Sequence, residues 1–181
     1  MEKNFAFIDW QNLHLGLKSD GWFIDLKRFR VWLKDKFHVQ EAYYFLWFIS
    51  EEEQELYTSL QQAGFIVSFR EHTATLKGKK KWNVDVDIVF EIMKKIIEKE
   101  KFDKIVLVSG DGDYIKLVEY LVTKDLFKKI IFPNRNHSSL YKKLRNTHYY
   151  YLEYAKDKLE YKKKREKPKK SNKKEKGILK H

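Results

Sequence analysis

Ile105-Val106-Leu107-Val108-Ser109-Gly110-Asp111-Gly112-Asp113-Tyr114 is the stretch whose reading decides the fold. Four consecutive apolar residues suit a short strand covered on both faces. The run breaks at two glycines, and Ile115 to Val122 then follows with helical apolar spacing. Strand, turn and helix in that order place two carboxylates at the carboxyl end of a strand. In open α/β sheets that edge is where ligands bind. Paired acids there suit a hard divalent cation, and through it phosphate chemistry.

The same alternation extends outward in both directions. Strands are expected at Phe5–Asp9, Gln40–Ile49, Phe65–Arg70, Lys104–Val108 and Lys129–Phe132, the last ended by Pro133. A final edge strand is expected at Tyr149–Leu152. Helices are expected at Asn12–Ser19 and from an Asp25 cap through Phe37. A capping box at Ser50–Glu53 opens a third helix, which ends at Gly64. Glu71–Asn83 is polar and lysine-rich and reads as a loop. Val84–Lys99 reads as a helix with apolar residues at 86, 89, 90, 93, 96 and 97. Asp113–Thr123 and a short Ser138–Leu144 complete the helices. Strands alternating with helices imply an α/β fold with a mainly parallel sheet covered on both faces.

Composition bounds the rest. The chain has 181 residues, of which 43% are hydrophobic and 16% aromatic, enough for one domain with a real core. It has no cysteine, which excludes disulfides, thiolate zinc sites and thiol catalysis. No basic segment followed by a long apolar stretch opens the chain, and no apolar run could span a bilayer. The expectation is a cytoplasmic protein without membrane contact. Of the net charge of +12, residues 156–181 carry +9 from 13 Lys/Arg against 4 Asp/Glu. The domain is therefore expected over 1–154. Residues 155–181 form a lysine-rich tail, partly helical or disordered, suited to a polyanion or simply to solvation.

Three acidic sites occupy comparable places. Asp9 ends the first strand, Asp85 and Asp87 open a helix, and Asp111 and Asp113 follow the central strand. Taken singly, each could be a cap or a first-turn acid favoured by the helix dipole. Taken together on one sheet edge they form a cluster of like charges that a divalent cation compensates. Glu91 shares the helical face of Asp87 and could support the ligands, or pair with Lys94 or Lys95.

Three motifs then occur in order: Phe7-Ile-Asp-Trp-Gln-Asn-Leu13, Asn83-Val-Asp-Val-Asp87 and Val108-Ser-Gly-Asp-Gly-Asp-Tyr114. Over residues 4–135 the chain resembles the NYN domain of the LabA-like group, within the PIN-like nuclease superfamily. The resemblance implies a PIN-like three-layer α/β/α sandwich and endonucleolytic RNA cleavage. It implies that Asp9, Asp85, Asp111 and Asp113 bind one or two Mg²⁺ or Mn²⁺ ions and are the catalytic residues. Asn12 and Ser109 match the polar residues that support the ligands, with Asp87 and Glu91 behind them. Position 83 is Asn where the family usually has glycine, which removes no ligand.

The mechanism expected from this set is hydrolysis of RNA by a water that the cation activates. Lys79, Lys80 and Lys81 precede the acidic helix and could clamp phosphates, and Trp82 could stack on an unpaired base. Arg135 and Asn136 follow a strand end on the same edge and are further phosphate contacts. His72 and His137 lack ligand spacing and receive no role. Gly-Asp-Gly-Asp is also found in haloacid-dehalogenase-type phosphatases, but those need an Asp two residues after the first, where this chain has Gln11. The remaining alternative is a non-catalytic RNA-binding or regulatory module. A homodimer could form through Tyr43, Tyr44, Trp47 and Tyr149–Tyr151, although most of these read more simply as core.

Overall fold

Six strands form one sheet: β1 (Asn4–Asp9), β2 (Val39–Leu46), β3 (Ile66–Phe69), β4 (Ile105–Val108), β5 (Phe127–Phe132) and β6 (Tyr149–Tyr151). The computed structural model describes residues 2–46, 54–69 and 84–162. Several expectations lie outside these residues: Trp47, the capping box at 50–53, the loop at 71–83 with its lysines, Trp82 and His72, and the tail from 163. The strand order is β3-β2-β1-β4-β5-β6. Every neighbouring pair runs parallel, as the continuous apolar runs predict.

The strand period of two divides the core into two halves. Ala6 and Ile8 of β1 face one way. They meet Leu13 and Leu17 of α1 (Trp10–Ser19), Phe29 and Leu33 of α2 (Leu26–Phe37), and Leu60 of α3 (Gln54–Ala63). Phe5 and Phe7 face the other way. There they meet Val84, Ile88 and Ile92 of α4 (Val84–Ile97) and Leu117, Val118 and Leu121 of α5 (Ile115–Thr123). All six residues of β1 are buried, because it lies at the centre of the sheet under both helical layers. The result is the expected three-layer sandwich.

The chain changes faces between β3 and α4. Helices α1, α2 and α3 lie on one side of the sheet and α4 and α5 on the other. The neighbouring strands β1 and β4 thus form a topological switch point, where the loops diverge and leave a crevice.

Local chemistry sets the element ends. Asp9 itself caps α1, so this helix starts at Trp10, ahead of the expected Asn12. Asp25 caps α2 through a bond from the Arg28 N–H, as expected. Gly64 ends α3 at φ +88°, a conformation that glycine adopts without steric strain. The helix expected from Asp113 begins instead as a 3₁₀ turn, Gly112–Tyr114.

Some expectations need correction. Helix α4 buries Val84, Ile88, Ile92 and Lys95, while the apolar Val86, Phe90 and Ile97 are exposed. Tyr43 and Tyr44 are core residues, the simpler of the two readings made for them. The chain also stays packed beyond Tyr154, through α6 (Lys156–Leu159). Leu159 is buried and its carbonyl accepts from the Asp25 N–H, and the Tyr161 N–H donates to the Phe23 carbonyl. Among the described residues, no helix is long and apolar enough to cross a membrane.

Candidate metal centre

The crevice holds a cavity of about 530 Å³. It is lined by Asp9, Asp85, Asp111 and Asp113 together with Gln11, Asn12, Ser19, Asn134 and Asn136.

Each acid arrives by a local rule. Asp9 is the last residue of β1 and the first cap of α1, accepting from the Asn12 N–H at 3.0 Å. Asp111 is both the turn after β4 and the cap of the 3₁₀ turn, accepting from the Asp113 N–H at 3.0 Å. Asp85 stands in the first turn of α4. Gly112 is required at its position because a Cβ there would collide with Ser138.

The four acids are not equivalent. Carboxylate oxygens of Asp85, Asp111 and Asp113 lie within 4.8 Å of one another. Asp9 stands behind them, only 5% exposed, and is not part of that trio. Burial, joined by the charges of Asp85 and Asp111, raises its pKa to about 6 against the hydrogen bonds from Asn12 and Tyr114. Tyr114 links the two levels. Its hydroxyl donates to Asp85 Oδ1 at 2.5 Å and lies 3.4 Å from Asp9 Oδ2. Burial and the Asp9 charge hold that phenol well above its ordinary pKa, so it remains a donor.

A second chain of bonds ties β1 to β4. The Gly110 N–H donates to Asn12 Oδ1 at 2.6 Å. Ser109 Oγ accepts from the Asp111 N–H at 3.1 Å and lies 3.4 Å from Asp9 Oδ2. Asn12 and Ser109 thus tie the acid-bearing turns after β1 and β4 together. The Tyr141 hydroxyl donates to the Asp111 carbonyl and fixes the same turn from the far side.

The donor set is oxygen only, with three carboxylates at close range and Asp9, Tyr114, Asn12 and Ser109 behind them. It is compatible with a divalent cation that prefers oxygen and offers nothing to a thiophilic metal.

The sequence profile of the NYN domain matches residues 5–154. The chain belongs to the NYN domain family. It is 26% identical to the low amplitude and bright protein LabA of Synechococcus elongatus over 127 residues, covering 65% of this chain and 67% of that protein. A solved structure of a protein of unknown function from Vibrio parahaemolyticus shares the fold, with a TM-score of 0.68 and 22% identity. That match covers 87% of this chain and 96% of the other.

Within this NYN fold the other expected residues take separate places. Asp87 follows Asp85 in the first turn of α4 but is not part of the trio. Glu91 pairs with Lys95 at 3.4 Å, so it serves an ion pair rather than the acids. Asn136 lines the cavity. Arg135 does not: it pairs with Glu153, donates to the Tyr154 hydroxyl at 2.8 Å and lies over the Tyr151 ring at 3.9 Å. The parallel docking of β6 beside β5 captures it. His137 stacks on Phe132 with ring centroids 3.9 Å apart, a packing role.

Tyr114, Gln11 and Asn134 are the residues that sequence reasoning passed over. Tyr114 stood inside the third motif, and its signal was a polar aromatic directly after an acidic turn. Asn134 is buried, donates to the Gly16 carbonyl at 3.0 Å and to Ser19 Oγ at 2.9 Å, and accepts from the Asn136 N–H at 3.0 Å. It joins the end of β5 to α1, which no local pattern announces.

Proposed function

We infer that this protein is a metal-dependent ribonuclease that cuts RNA internally, with Mg²⁺ or Mn²⁺ at the acidic wall. The observation that carries this reading is the convergence of Asp85, Asp111 and Asp113 within 4.8 Å at the switch point of the sheet. A divalent cation held there supplies an activated water and offsets charge on the phosphate. Asp85, Asp111 and Asp113 hold the cation, and Asp9 adds a buried acid behind them. Tyr114 orients Asp85 and Asp9 together through one hydroxyl. Asn12 and Ser109 keep the two strand ends at a fixed distance. In the same cavity Gln11 and Asn136 offer amide donors to phosphate oxygens, and Leu15 an apolar surface to the sugar.

The test is incubation with single-stranded and structured RNA in Mg²⁺ or Mn²⁺, with and without EDTA. Wild type should cleave only with the cation, and Asp111→Asn should lose at least about 100-fold in rate while folding normally. Equal cleavage by that variant, or cleavage that survives EDTA, would overturn the reading. Salt-sensitive binding without cleavage would identify an RNA-binding module instead.

A further inference from the structure

Helix α2 buries Phe29, Leu33 and Phe37 in the core. The rest of it presents two rows at i, i+4 spacing, Lys27-Val31-Asp35 and Arg28-Trp32-Lys36. These six residues, with Lys158 and Leu159 of α6, line a groove of about 580 Å³. The groove shares no lining residue with the crevice. Its apolar lining includes the half-buried Trp32, whose ring meets Phe37 edge-on at 5.2 Å and lies 5.6 Å from Tyr150. Four cations line it against a single acid, Asp35. Arg28 is answered by Asp25 at 3.7 Å. Lys27, Lys36 and Lys158 have no acid partner among the described residues.

Positive charge continues past the groove. The Lys36 ammonium lies over the Tyr150 ring at 4.7 Å. Burial and the charges of Lys128 and Lys36 lower the pKa of Lys129 on β5, which donates to the Thr147 carbonyl just before β6. His148 is lowered in turn by burial and by Lys129, Arg145 and Lys104. Glu2 answers Lys128 and Asp125 answers Lys104, but Lys129 and Arg145 have no acid partner among the described residues. The sequence beyond α6 adds no counter-charge, since residues 163–181 hold ten Lys/Arg against two Asp/Glu.

Like charges gathered in this way attract a polyanion. Lys27 and Lys36 lie nine residues apart on α2, about 14 Å of helix. That length suits a chain of phosphates rather than one anion. An indole among cations suits the face of an unpaired base, which neither an acidic peptide nor a lipid headgroup offers. We propose that the α2–α6 groove is a second RNA site, taking an unpaired base against Trp32 and the flanking phosphates on Lys27, Lys36 and Lys158, with the strand continuing over Lys129 and Arg145. This rests on the proposed function only in taking RNA as the ligand. Such a site selects unpaired segments without touching the acids.

The experiment is binding of the full chain to an end-labelled single strand of about 12 nucleotides, read by fluorescence anisotropy in EDTA so that nothing is cleaved. Lys36→Gln with Lys158→Gln alters two exposed residues and should keep the wild-type circular dichroism and melting temperature. It should reduce the salt slope of log affinity by about 1.4, the loss of two single-strand phosphate contacts. Trp32→Leu should weaken binding about 10-fold. RNA carrying thiouridine should photo-cross-link to α2. An unchanged slope and affinity in the double lysine variant would overturn the proposal, whatever Trp32→Leu does to folding. So would cross-links confined to residues 163–181, or equal affinity for a fully paired duplex, which would leave charge alone and no base contact. Repeating the series in Mn²⁺ separates the two readings. RNA cleavage with a lysine variant that binds like wild type keeps the nuclease and removes this site. No cleavage with a weakened lysine variant keeps this site and removes the nuclease.

Discussion

Two clusters of charge lie on this molecule, one in the carboxyl-edge crevice and one around Lys95, and their contrast explains what the crevice is for. Lys95 is 5% exposed, and its ammonium bonds Glu100 at 3.0 Å and Glu91 at 3.4 Å. It also lies over the Tyr43 ring at 4.4 Å. Burial pulls its pKa down, but hydrogen bonds with Tyr43 and Glu100 outweigh this and leave it raised. Charge there is answered by opposite charge within the chain. In the crevice, Asp9 and Asp111 accept from neutral N–H and hydroxyl groups. Neutral donors orient carboxylates without neutralising them. Among the described residues the first cluster is closed by its own counter-charges, while the bonds to Asp9 and Asp111 in the second come from neutral donors.

The largest expected effect comes from breaking the closed cluster. Lys95→Ala leaves Glu91 and Glu100 without their shared partner and strips a cation from the faces of Tyr43 and Phe5. It should destabilise the fold by about 3 kcal/mol in urea unfolding. A loss below about 1 kcal/mol would mean that water already answers those charges.

A smaller effect separates the open cluster by pH. Asp9 has a pKa of about 6 in the fold, above the 3.8 of a free carboxyl. The folded state therefore holds the proton more tightly, so this contribution is complete below pH 3.8 and is lost as pH rises through about 6. The loss should be roughly 2 kcal/mol between pH 4 and pH 7. Asp9→Asn should flatten that decline, and millimolar Mg²⁺ or Mn²⁺ should recover part of it in wild type but not in Asp111→Asn. A wild-type decline that persists unchanged in Asp9→Asn would assign it to another group.

The smallest effect sharpens the contrast at one atom. Tyr114→Phe deletes the hydroxyl that reaches Asp85 and Asp9 while keeping the buried ring. Its hydrogen bond lowers the Asp9 pKa, so its loss should raise that pKa further. If the proposed cleavage operates, the rate should fall about 10-fold and the pH profile should move upward. A reduced rate with an unmoved profile would make Tyr114 a packing residue only.

Much of this was legible before any coordinates. Asp111 and Asp113 follow an apolar run that breaks at glycine, and Asp85 sits at a helix start. Cap and turn chemistry depends on a few neighbouring residues, so it can be read locally. Arg135 shows the limit. Its position after β5 pointed to the cavity, yet β6 delivers Glu153 and Tyr151 beside it. The apolar residues of α4 show another. Periodicity identified the helix, but an apolar residue carries no mark of which neighbour will cover it.

By itself the sequence determined the carboxyl ends of β1, β4 and β5, the Asp25 cap and the oxygen-only donor set, because backbone propensity and side-chain chemistry act within a few residues. Tertiary structure decided which acids meet. The switch of faces between β3 and α4 brings residues 85, 111 and 113 to within 4.8 Å and leaves Asp9 behind them. It also decided that Asn134 would brace α1 and that Val86, Phe90 and Ile97 would face outward. Those outcomes depend on how distant segments share a limited buried volume, which is a property of the packed sheet rather than of any stretch of it.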